Sequence, residues 1–124
     1  MSVHGVTRVN IEIRNNVYWD DAFQFGMPDD FTWSFTGKSF LLDVKAKSSD
    51  ASALLALSST GGTIIVDDVS HRRLHMYVTD ASIRATLPIG CYVYDLVMVD
   101  NSTGERDALM YGTLSVVQGV TGED

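Results

Sequence analysis

Residues 87–99 constrain the fold more than any other stretch: Leu87-Pro88-Ile89-Gly90-Cys91-Tyr92-Val93-Tyr94-Asp95-Leu96-Val97-Met98-Val99. Proline presets φ for a turn at Pro88, and Gly90 takes positive φ without steric cost. Tyr92, Val93, Tyr94 and Val97 are aromatic or β-branched, the types that settle best in a pleated, half-buried strand. A strand entered through such a corner fits a β-sandwich whose chain changes sheets. Pro88, Gly90, Tyr92, Tyr94 and Asp95 are therefore expected to define this turn and strand. Cys91, inside the strand, reads as a small buried hydrophobe.

The remaining segments support the same class. Residues 7–13 alternate, with Val9, Ile11 and Ile13 on one face and Arg8, Asn10 and Glu12 on the other, the pattern of a half-buried strand. Residues 17–25 carry Tyr18, Trp19, Phe23 and Phe25 and read as a second strand. Its Asp20-Asp21 pair predicts a bulge. A loop follows at 26–30, then a short extended segment at 31–35 built on Phe31, Trp33 and Phe35. Residues 39–45 place Phe40, Leu42 and Val44 inward, with Asp43 and Lys45 outward. Residues 48–59 read either as one or two helical turns capped by Asp50, or as a short loop with apolar anchors. A strand is expected at 63–66, a polar hairpin loop at 67–72, and an alternating strand at 73–79 with Leu74, Met76 and Val78 on one face. Asp80 is expected to cap a single helical turn over 81–85. After the central strand at 92–99 comes a hairpin turn at 101–104, then a last strand over 109–117, broken by Gly112. About seven or eight short strands separated by turns are the signature of an all-β sandwich, with a small barrel as the alternative.

With 124 residues, the chain is expected to form one domain over 1–124, with 1–6 and 119–124 as flexible tails. A net charge of −7 with only nine Lys and Arg provides no basic footprint for nucleic acid, and anionic membranes are disfavoured for the same reason. No run approaches the roughly 18 apolar residues of a membrane span. Residues 1–5 lack an apolar core segment, so no secretory signal is expected. The single cysteine excludes an intrachain disulfide and a cysteine-based zinc cluster.

No catalytic arrangement emerges. His71 and His75 flank Arg72-Arg73 and read as exposed loop histidines. The pairs Asp20-Asp21, Asp29-Asp30 and Asp67-Asp68 do not match a calcium-loop spacing. Gly61-Gly62 is too short for a phosphate loop. No metal or other cofactor is implied, and no enzyme activity is expected. The aromatics of the first third invite two readings, core packing or an exposed interface patch beside Met27-Pro28.

Taken in order, certain motifs form a familiar series: Val9-Asn10-Ile11-Glu12-Ile13, Gly26-Met27-Pro28-Asp29-Asp30, Thr36-Gly37 with Phe40 and Val44-Lys45, residues 87–96, and Gly112 to Thr121. This series resembles small structural proteins of bacteriophage and prophage particles. It is also similar to the immunoglobulin-like N-terminal domain of phage baseplate upper proteins. The resemblance implies an immunoglobulin-like antiparallel β-sandwich and a non-enzymatic role in a tail, baseplate or capsid decoration. It implies assembly in the host cytoplasm, other virion proteins as partners and homo-oligomers, with no nucleic acid or membrane bound. Contact residues are expected at Met27, Pro28, Phe31, Trp33 and Phe35, and in the tail at Val117, Val120 and Thr121. The alternative is a carbohydrate-binding sandwich in which Trp19 with Asp20-Asp21, or Trp33, stacks on sugar.

Overall fold

The computed structural model describes residues 7–25, 35–68 and 73–121. The elements in chain order are β1 (Thr7–Arg8), β2 (Ile11–Arg14), β3 (Trp19–Gln24), β4 (Lys38–Lys45), β5 (Leu55–Ser58), β6 (Ile64–Asp68), β7 (Arg73–Val78), α1 (Asp80–Thr86), β8 (Gly90–Asp100) and β9 (Arg106–Val117). They form a six-stranded sheet ordered β1-β9-β8-β4-β5, with β2 also on β9, and a three-stranded sheet ordered β3-β7-β6. The two sheets share one core and make an all-β sandwich. The expected antiparallel sandwich needs one correction: β1 and β2 run parallel to β9.

Alternation builds the core. Phe40, Leu42 and Val44 of β4, Leu74 and Met76 of β7, and Leu96 of β8 are all 0% exposed. Ile11 and Ile13, Val78, Tyr92 and Tyr94, and Leu114 and Val116 complete the inner faces as a single cluster with them. Each large apolar side chain so buried contributes about 1.5–3 kcal/mol. Phe35 belongs to this cluster and packs edge-on against Phe40 with ring centroids 4.6 Å apart.

Several local expectations give way to longer-range packing. β3 pairs with β7 in unbroken register from Trp19↔Val78 to Gln24↔Arg73, so no bulge lies at Asp20-Asp21. Asp21 accepts a 2.9 Å hydrogen bond from the Trp19 indole N–H instead. A register shift does occur between Leu96 and Val97, where the extra residue on β9 is Leu109. It explains how neighbours Leu109 and Met110 both turn inward. Gly112 does not break β9, which runs on to Val117. Residues 48–59 contain no helix; 55–58 form β5 against β4. Alanine and leucine favour helix weakly, and pairing with a central strand overrides that preference. Asp50 accepts from the Lys47 N–H in a turn. The cap of α1 is Thr79, whose hydroxyl accepts from Ser82 N–H, while Asp80 opens the helix and binds Arg84 at 2.9 Å. Cys91 is exposed, because Tyr92 and Tyr94 take the inward positions around it.

Two tyrosine hydroxyls fasten the first half of β8. Tyr92 donates to the Pro88 carbonyl, closing the Pro-Gly corner. Tyr94 donates to the Val9 carbonyl at 2.6 Å, across the break between β1 and β2. At that break the Asn10 side chain accepts from Thr113 N–H, standing in for a backbone bond that the bent strand does not make.

Burial pushes the Tyr94 hydroxyl from 10.0 up to about 12. The unfolded chain releases that proton near its ordinary value while the folded chain still holds it. Stability from this group is thus complete below the unfolded value and lost as pH rises through the folded one. Urea midpoints of the wild type are expected to fall between about pH 10 and 12. Tyr94→Phe is expected to cost about 1 kcal/mol at neutral pH and to flatten the alkaline fall. Equal alkaline slopes in the two proteins would refute this assignment.

Candidate interaction surface

On the outer face of the six-stranded sheet, strand register assembles a row that crosses five strands. Arg8 of β1 is opposite Tyr111 of β9, Tyr111 opposite Asp95 of β8, Asp95 opposite Asp43 of β4, and Asp43 opposite Ala56 of β5. On one side of this row lie Thr113, Val93 and Lys45; on the other lie Ala108, Val97 and Leu41. The valines and Leu41 are half-buried, and Tyr111 is 45% exposed. Apart from Ala56 and Ala108, these residues line, together with Arg106, an open trough of about 540 Å³.

The charges in this trough are uncommitted. Lys38 pairs with Asp100 at 2.9 Å, and Arg84 with Asp80 at 2.9 Å. Among the described residues, Arg8, Lys45, Arg106, Asp43 and Asp95 make no ion pair or side-chain hydrogen bond. Like charges opposite one another across strands cost about 0.2–1 kcal/mol. Asp43 and Asp95 stand in that relation, so the face retains an arrangement that is unfavourable in the isolated chain. Partial burial, and then Asp43, push the Asp95 carboxyl above its ordinary value, and Lys45 opposes them.

The outer face of the three-stranded sheet is smaller and leaves Ile65 and Tyr77 exposed. Tyr18 packs edge-on against Tyr77 at 5.4 Å. His75 is half-buried within β7, not in a loop, and its Nδ1 lies 2.8 Å from Asp67 Oδ1. His71 lies outside the described residues. Among the described residues no three His, Cys, Asp or Glu gather as a metal site. No helix of the described chain is long and apolar enough to cross a membrane.

The expected contact residues are redistributed by the fold. Phe35 is 3% exposed and belongs to the core, so it is not an interface anchor. Met27, Pro28, Phe31 and Trp33 lie outside the described residues. Val117 ends β9 partly buried opposite Arg14, and its carbonyl accepts from Asn15 N–H at 3.0 Å. Gly119 N–H donates to Asn15 Oδ1, and the Thr121 carbonyl accepts from Asn16 Nδ2, each at 3.0 Å. Within that stretch Val120, 94% exposed, has its side chain open to solvent. Trp19 is 2% exposed and cannot stack on a sugar.

Tyr92 and Tyr94 turn inward from β8, which begins at Gly90, and the Tyr92 hydroxyl binds the Pro88 carbonyl. Asp95, anticipated only as part of that strand, sits at the centre of the trough. Arg8, Tyr111 and Arg106 were not anticipated as site residues; their outward alternation marks a face, but only register brings them to one row. No known protein-family model matches this chain, and no curated protein shows significant similarity to it.

Proposed function

We propose that this protein is a non-enzymatic structural module of a bacteriophage particle, placed in the tail, the baseplate or the capsid surface. It acts by protein–protein contact through the outer face of its six-stranded sheet. The observation that carries the contact role is the trough, where half-buried aliphatic side chains and the Tyr111 ring surround charges that the chain itself leaves unpaired. Aromatic and arginine side chains set among aliphatic ones are the composition that protein interfaces favour. The particle context is supported by the series of turn and strand motifs from Val9 to Thr121.

Immunogold electron microscopy on purified particles of the phage or prophage that carries this coding sequence tests the reading. Label on the particle is expected, over the head for a decoration protein and at the tail for an adaptor. Particles without label would overturn the virion role.

A further inference from the structure

The row across the outer face has an order that complements its own reverse. From β1 to β4 it runs cation, phenol, carboxylate, carboxylate: Arg8, Tyr111, Asp95, Asp43. We propose that a second copy of this chain docks on this face about a twofold axis that runs along the strands between β8 and β9. A twofold contact presents the same patch on both copies, so the patch must match itself. Rotation about this axis reverses the order across strands and keeps position along them. Arg8 then meets the partner's Asp43, and Tyr111 meets the partner's Asp95, each contact made twice.

The flanking rows obey the same operation. Val97 is opposite Ala108 within the sheet, so it meets the partner's Ala108, and Val93 meets the partner's Thr113. Val97 and Ala108 thus add apolar cover on one side of the charged row, and Val93 adds it on the other. The exposed Tyr111 ring of each copy enters the trough of the other, which fills a concavity that two featureless faces would leave wet. Its hydroxyl donates to the Asp95 carboxylate there. The docked pair also relieves the Asp43–Asp95 opposition, since each carboxylate gains a donor. A dissimilar partner would have to match this order residue by residue; a second copy carries it by construction.

This inference rests on the outer face being the contact surface. It is tested by sedimentation velocity of the full chain over a range of concentrations, with Arg8→Asp, Asp43→Arg and the double exchange. The wild type is expected to sediment as a dimer. Each single exchange is expected to weaken dimerisation at least roughly tenfold, because it sets like charges together at both symmetric contacts. The double exchange restores the pairing and is expected to return within about threefold of wild type. Tyr111→Ala provides an independent check: it removes a half-exposed ring from this face and is expected to yield a folded monomer. A wild type that stays monomeric, a double exchange no tighter than its parents, or a Tyr111→Ala protein that still dimerises fully would overturn the proposal. Particles that carry label while the protein sediments as monomer would defeat only this inference. A dimer absent from particles would defeat only the virion role.

Discussion

Gly112→Ala is expected to lower stability by about 3 kcal/mol and the melting temperature by roughly 10 °C. A Cβ at this position would lie 2.1 Å from the Val9 carbonyl oxygen and 2.8 Å from its carbon. Both atoms are backbone, so no side-chain rotation relieves the overlap. Val9 cannot retreat freely either, because its N–H donates to the Tyr111 carbonyl at 2.8 Å and its oxygen accepts from the Tyr94 hydroxyl at 2.6 Å. The methyl must therefore lever β1 and β2 away from β9 and break the Tyr94 bond. Gly104→Ala is the control. Its φ is +77° and nothing lies within 4 Å of the added carbon, so only the left-handed backbone is penalised, by about 1 kcal/mol. Urea unfolding of both variants measures the difference, and amide exchange in 11–14 is expected to accelerate in Gly112→Ala alone. A Gly112→Ala protein as stable as Gly104→Ala would show that the opening strand can shift without cost.

Trp19→Ala is expected to cost about 3–5 kcal/mol, among the largest single effects in the chain. Trp19 opens β3 opposite Val78 and is among the largest fully enclosed side chains. Its removal leaves a cavity between the sheets and strands the Asp21 carboxylate that accepts the indole N–H at 2.9 Å. Trp19→Phe keeps most of the volume and is expected to lose about 1–2 kcal/mol. Chemical denaturation of the two variants checks the ordering. In a Trp33→Phe background, Trp19 emission is expected to be blue-shifted and to resist quenching by iodide. Ready quenching there would contradict its burial and return Trp19 to the sugar-binding reading.

Local patterns in the sequence carried the class of fold and most inward positions. Phe40, Leu42 and Val44, or Leu74, Met76 and Val78, can be assigned from period-two alternation because that period is a property of the strand itself. The Pro88–Gly90 corner was equally legible, since turn chemistry depends on a few adjacent residues. Residues 48–59 were not, because the partner that makes 55–58 a strand is β4, and the local Ala and Leu composition says nothing of it. Phe35 shows a second limit: an aromatic beside polar residues looks the same in sequence whether it packs on Phe40 or faces a partner.

The trough marks where sequence stops being informative. That Arg8, Asp43, Asp95 and Tyr111 face outward follows from the alternation around them. That they share a row follows only from pairings such as Asn10 with Thr113, residues 103 apart in the chain, and from the extra residue at Leu109 that sets the β8–β9 register. A shift by one position would send Tyr111 inward and dissolve the row. The sequence by itself determined an all-β chain with defined inward faces, because strand alternation and turns are local. The tertiary structure alone decided which outward side chains meet, because register is set by packing between distant strands.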